Sequence, residues 1–111
     1  MRLQVKGRNV EVTASLRQYA ESKLAKLDRK LAPETQVEVE LSEEKNPSIG
    51  EGHVAEATIF TKGTTLRARE ASRDLRASID GLVDNLDRQL KRYRDKRRQE
   101  PRRRTEHHNV E

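Results

Sequence analysis

The sequence predicts an α+β fold, a two-layer sandwich in which a four-stranded sheet carries two helices on one face. Three observations predict it: stretches in which apolar and polar residues alternate, two segments with apolar residues at helical spacing, and their order along the chain, β-α-β-β-β-α. Each helix has one apolar stripe to cover and the strands have one apolar face to offer. One sheet face therefore serves both helices, and the other is open to solvent.

The first strand is Arg2 to Arg8, where Leu3 and Val5 alternate with Arg2, Gln4 and Lys6. Thr13 is placed to cap a helix from about residue 14 to about residue 31, in which Leu16, Ala20, Leu24, Leu27 and Leu31 recur at helical spacing and Pro33 ends the run. Val37, Val39 and Leu41 alternate with Glu38, Glu40 and Ser42 in a second strand. The stretch Glu43 to Gly52, with Asn46-Pro47 and two glycines, reads as a loop. Ala55, Ala57 and Ile59 then alternate with Glu56, Thr58 and Phe60, and Lys62-Gly63 leads into Leu66 and Ala68, a hairpin with a two-residue turn. Ser72 is a plausible N-cap for a second helix whose stripe is Leu75, Ile79, Leu82, Val83, Leu86, Leu90 and Tyr93, ending near Arg98. The division is one domain over 1–98, followed by a disordered basic tail or linker over 99–111, where no apolar period survives Pro101.

With 111 residues, 32% of them hydrophobic and 39% charged, the chain has enough apolar material for one thin aliphatic core and not for a deep ligand pocket. There is no cysteine, which excludes disulfides, thiolate metal sites and a cysteine nucleophile. No apolar run approaches the roughly 20 residues of a membrane span, and the start Met1-Arg2-Leu3-Gln4-Val5-Lys6 lacks a signal-peptide apolar stretch, so a cytoplasmic location is expected.

The charge is polarised. Arg88 to Arg104 holds ten Lys and Arg against Asp95 and Glu100, a local net of +8, while the whole chain carries +5. On the second helix Asp80, Asp84 and Asp87 come first, and Arg88, Lys91, Arg92, Arg94, Lys96, Arg97 and Arg98 follow. Cations at a helix C-terminus complement its dipole, and Asp84 with Arg88 is set for an i,i+4 pair, but one or two cations would meet that need. Seven in eleven residues repel one another unless an anion is near, and a nucleic-acid phosphate backbone is such an anion. On the first helix Lys23, Lys26 and Lys30 cluster on one flank of the leucine stripe beside Tyr19, with Glu21 and Asp28 on the other. Lysines there also serve to cover apolar surface with their stems.

No catalytic constellation is found. His53, His107 and His108 do not make a metal site, Gly50-Glu51-Gly52 lacks the remainder of a phosphate-binding loop, and Glu43 and Glu44 read as solvated loop charge. Tyr19, Phe60 and Tyr93 are scattered, which disfavours base stacking and leaves Lys and Arg on phosphate as the available chemistry.

Two stretches carry a resemblance. Val5-Lys6-Gly7-Arg8-Asn9-Val10-Glu11-Val12-Thr13 with Leu16, Tyr19, Lys23-Leu24 and Lys26-Leu27 looks like the start of the ribosome hibernation-promoting factor family, also called ribosome-associated inhibitor or protein Y. Ser78-Ile79-Asp80 through Leu86-Asp87-Arg88-Gln89-Leu90-Lys91-Arg92 is similar to its other hallmark stretch. The resemblance covers about residues 1 to 98. It implies a fold reminiscent of double-stranded-RNA-binding domains, seated on the small ribosomal subunit and its rRNA in competition with mRNA and tRNA, with no enzyme activity, no cofactor, no small-molecule substrate and no membrane partner. The basic positions that carry over are Lys23, Lys26, Arg88, Lys91 and Arg92. Lys30, Arg94, Lys96, Arg97 and Arg98 join them on charge and position alone.

Two departures stand out. Arg76 occupies a position where the family usually has an aromatic residue, and it either adds a phosphate contact or loosens the core edge. Long members carry a second, dimerising domain, and this sequence is either a short form or a piece of a long one. The competing reading of the chain is a protein-interaction module that uses the open sheet face, with the basic tail non-specific.

Overall fold

The alternating segments are strands. In the computed structural model, which describes residues 1–44 and 52–94 in full and residues 95–110 as backbone only, β1 (Arg2–Gly7), β2 (Gln36–Glu43), β3 (His53–Thr61) and β4 (Thr64–Ser72) form one sheet in the order β1-β2-β3-β4. β1 runs parallel to β2, with Val5 beside Val39, and the other pairs are antiparallel. The parallel pair needs a crossover, which the first helix supplies. The β3–β4 turn is the expected two-residue one, since Thr61 pairs with Thr64 and Gly63 has φ +91°, a conformation glycine adopts without a Cβ penalty.

Helix α1 (Ala14–Leu24) starts at Thr13, whose Oγ1 accepts from the Leu16 N–H at 3.1 Å. The sequence reading of one α-helix to about residue 31 is corrected: residues Ala25–Lys30 tighten into a 3-10 segment. Three residues per turn set Leu24 and Leu27 one above the other, and both are fully buried. Helix α2 (Leu75–Val110) is capped by Asp74, whose Oδ1 accepts from Ala77 N–H at 2.8 Å; Ser72, the expected cap, is the last residue of β4. The α2 backbone is helical through Val110, beyond the end near Arg98 read from the sequence. Its Arg, Lys, Gln and Glu favour helix, and Pro101 removes one backbone donor.

Both helices lie on the sheet face made by Val5, Val37, Val39, Leu41, Ala55, Ala57 and Ile59, which meets Leu16, Ala20, Leu24 and Leu27 from α1 and the 3-10 segment and Ile79, Leu82, Val83, Leu86 and Leu90 from α2. The core is aliphatic, as composition requires. Tyr93, placed by its spacing on the apolar stripe, is only half-buried and donates its hydroxyl to the Lys62 carbonyl at 3.2 Å. Polar contacts pin α2 to β4. Ser78, 1% exposed, donates to the His53 carbonyl and shares a hydrogen bond with Ser72. Gly81 lets α2 approach Glu70, to which Asn85 donates at 3.1 Å, and Gln89 donates to the Arg67 carbonyl at 2.7 Å.

The helices also touch each other. Lys30 Nζ donates to Asp87, Tyr19 donates to Asp80 Oδ1 at 2.7 Å, and Lys23 Nζ lies 3.8 Å from the same carboxylate. The Lys30 hydrogen bond, opposed by partial desolvation and helped by the charges of Lys30, Lys26 and Arg94, holds the Asp87 carboxyl below its ordinary pKa. The expected Asp84–Arg88 pair is not among the ion pairs of the described residues; the acidic row of α2 reaches across to α1 instead.

Two outcomes follow for stability. Leu86→Ala, emptying a fully buried position, is expected to cost about 2–5 kcal/mol in urea unfolding, whereas Phe60→Ala, at a side chain 43% exposed on the open face, costs under about 1 kcal/mol. The Lys30–Asp87 coupling, measured by a double-mutant cycle with Lys30→Met and Asp87→Asn, is expected to be at most about 1 kcal/mol at neutral pH because Asp87 is half exposed. Because the folded pKa of Asp87 is lower than the unfolded one, that coupling is complete above the ordinary carboxylate range and disappears as pH falls through the lowered value. A coupling that persists at full strength once Asp87 is protonated contradicts the assignment.

Candidate nucleic-acid interface

Among the described residues, the basic positions picked out by the sequence lie on α1, the 3-10 segment and α2, all exposed but half-buried Lys30, and they are not equivalent there. Lys23 and Lys30 are engaged with Asp80 and Asp87. Lys26 is exposed and near enough to Asp87 to lower its pKa. The lysines expected to form a cationic edge thus face the aspartates of the acidic row, and the middle of the helix pair is close to charge balance. Pairing 57 residues apart in sequence is what helical spacing alone did not reveal.

Past Asp87 the balance ends. Arg88, Lys91, Arg92 and Arg94 are all exposed, and none takes part in the ion pairs found among the described residues. They occupy successive turns of α2, whose rise of about 1.5 Å per residue spreads the first and last over about 9 Å. Phosphates along a nucleic-acid strand repeat on a comparable scale, so one strand can engage more than one of these side chains. Lys96, Arg97 and Arg98 lie outside the described side chains.

At the other end of the seam, Arg76 lies outside the buried core. It is exposed, its guanidinium lies 4.8 Å from the centre of the Tyr19 ring, and it donates to Ser15 Oγ at 2.9 Å. Lys23 Nζ lies 5.5 Å from the same ring centre. Donation to Asp80, with burial as a lesser cause, raises the Tyr19 pKa above its ordinary value, so the phenol stays neutral. Tyr19 was legible only as a neighbour of the lysines; its stacking with Arg76 joins two residues far apart in the sequence.

The open sheet face has a different character. Across the strands, Lys6, Glu40, Glu56 and Arg69 stand in one row, and Gln4, Glu38, Thr58 and Arg67 in the next. Lys6 sits beside Glu40 and Arg69 beside Glu56, so the two central glutamates, which oppose each other, each have a cation on their outer side. Glu44, read as solvated loop charge, pairs with Arg69, and Glu43 Oε2 lies 3.5 Å from His53 Nε2. A shallow depression of about 420 Å³ at this end is lined by polar residues, including Arg8, Asn9 and Glu56. Among the described residues no group of His, Asp and Glu is arranged to hold a metal, and no helix is long and apolar enough to cross a membrane.

Comparison with known proteins agrees with this architecture. The family model described as sigma 54 modulation protein / S30EA ribosomal protein matches residues 3–98. The chain is 42% identical over 97 residues to a ribosome hibernation promotion factor of Picosynechococcus sp., covering 86% of this chain but half the length of that relative. It is 39% identical over 99 residues to the ribosome hibernation promoting factor of Salmonella typhimurium, covering 89% of this chain and 99% of that one. The crystal structure of the Thermus thermophilus protein Y N-terminal domain superposes with a TM-score of 0.71 at 38% identity, over 84% of this chain and 99% of that chain. With a family match spanning nearly all of the described fold, and relatives of this identity sharing its sheet and helices, the chain belongs to the sigma 54 modulation / S30EA family of ribosome-associated proteins.

Proposed function

We propose that this chain is a non-enzymatic ribosome-binding translation inhibitor, a hibernation factor that docks on the small ribosomal subunit and occupies the path of mRNA and tRNA. The observation that carries the reading is the row Arg88, Lys91, Arg92 and Arg94, exposed and without carboxylate partners among the described residues, in a chain whose relatives are named ribosome hibernation promoting factors. Cations left over on a helix bind phosphate by releasing its counterions, without reading bases. Lys23, Lys26 and Lys30 border this surface, and their proximity to aspartates makes them secondary contributors. Lys96, Arg97 and Arg98 extend the row in sequence. Residues 1–98 form the binding domain in this reading, and 99–111 continue its basic charge.

Inhibition needs no chemistry beyond steric exclusion, and a cytoplasmic location follows from the partner. The alternative, a protein-interaction module on the open sheet face, is supported by exposed Phe60 and opposed by its polar cross-strand neighbours, Gln36 and Thr65.

Cosedimentation with purified small subunits tests the proposal. Lys91→Glu, Arg92→Glu and Arg94→Glu together are expected to weaken binding at least about a hundredfold. They also flatten its salt dependence, by about one unit of log–log slope for each phosphate that is no longer neutralised. Binding that persists unchanged in the triple variant rules out this surface. Added tRNA and mRNA are expected to displace the wild-type chain; binding indifferent to both rules out occlusion of their path.

A further inference from the structure

We propose that Arg76, held by Tyr19 and Ser15, forms a preorganised site for one RNA phosphate at the opposite end of the helix seam from the basic row. The source of the phosphate, ribosomal RNA, rests on the function proposed above; the site itself rests on geometry.

An exposed arginine ordinarily samples many rotamers, and ordering it costs free energy that an ion pair often offsets. Arg76 is ordered differently. Its guanidinium stacks on Tyr19 at 4.8 Å, and one of its five donors is used on Ser15 Oγ at 2.9 Å. Neither partner carries negative charge at neutral pH, where a phenol and a serine hydroxyl are both protonated, and the Tyr19 hydroxyl is itself held by donating to Asp80. Asp80 in turn faces Lys23 at 3.8 Å, and no ion pair of Arg76 occurs among the described residues. The arrangement therefore restrains the guanidinium between two neutral groups and leaves most of its donors unused.

A planar fork restrained in this way suits the oxygens of a phosphodiester, and less conformational freedom is lost when it binds than for a free side chain. Lys23, on the same ring at 5.5 Å, offsets the charge of Asp80, so that carboxylate does not cancel Arg76. Arg76 and Arg88 are separated by about 18 Å along α2, at about 1.5 Å of rise per residue. Two phosphate contacts at that separation fix the direction in which α2 lies on the RNA, which one cluster at a single end does not do.

The test is a potassium chloride series of binding to purified small subunits by the wild-type chain and by Arg76→Gln, Arg76→Lys, Tyr19→Phe and Tyr19→Leu, each checked for a wild-type thermal midpoint. Arg76→Gln is expected to lower affinity about tenfold and to reduce the log–log salt slope by about one. Arg76→Lys and Tyr19→Leu are expected to lose several-fold in affinity with the slope retained, since the charge is kept and only its orientation is lost. Tyr19→Phe, which keeps the ring, is expected to bind close to wild type. Wild-type affinity and slope in Arg76→Gln overturn the site, as does a loss of affinity with no change of slope, the mark of a structural residue. Either result leaves the ribosome-binding function standing. Absence of binding by the wild-type chain itself is a different outcome, which overturns that function and with it the RNA as the source of the phosphate.

Discussion

The structure depends on one geometric constraint: a four-stranded sheet has one apolar face that must be covered. Strands repeat at about 4.8 Å, so the outer two lie about 14 Å apart, more than the roughly 10 Å width of one helix. Val5 on β1 lies under α1, and Ile59 on β3 with Leu66 and Ala68 on β4 lies towards α2. With few aromatic side chains to fill space, the aliphatic side chains must interdigitate closely, and the two helices are drawn into contact.

That contact decides which charges are available. Each helix has an apolar stripe flanked by charge, and side-by-side packing brings the lysine flank of α1 to the aspartate row of α2. Lys23 and Lys30 are consumed by Asp80 and Asp87, so the seam contributes little net potential. Among the described residues, uncompensated cations of α2 lie beyond the seam at both ends: Arg76 at one, and Arg88, Lys91, Arg92 and Arg94 at the other. Total charge is a poor guide to such a surface. What matters is the remainder after internal pairing, and that remainder is set by the packing of the core.

Most of the fold was legible because it rests on local patterns. Alternation in Val37, Val39 and Leu41 marks a half-buried strand however the rest of the chain folds, and Lys62-Gly63 supplies the positive φ that a tight hairpin uses. The α2 cap was missed because Ser72 and Asp74 both have capping side chains two residues apart, and pairing of Ser72 with His53 keeps it in β4. The 3-10 segment was missed because Leu24 and Leu27 fit either helix type at a spacing of three. The site was less legible. The candidate cations could be named from charge runs, but Lys30–Asp87 and Arg76–Tyr19 are tertiary contacts, and no period in the sequence encodes them.

A cluster of like charges destabilises the element that carries it, and its position here limits the damage. The last α2 residue of the buried core is Leu90. Arg88 precedes it by half a turn, and Lys91, Arg92 and Arg94 follow it, at the margin of the packed region. Mutual repulsion there acts on helix with little core beneath it, and at physiological salt it is screened over about 8 Å. The aspartates are placed earlier, where α2 must hold against α1 and where their attraction to lysine supports packing. One helix thus separates two electrostatic roles along its length: Asp80 and Asp87 use opposite charges to secure the fold, and Arg88, Lys91, Arg92 and Arg94 stand without carboxylate partners among the described residues.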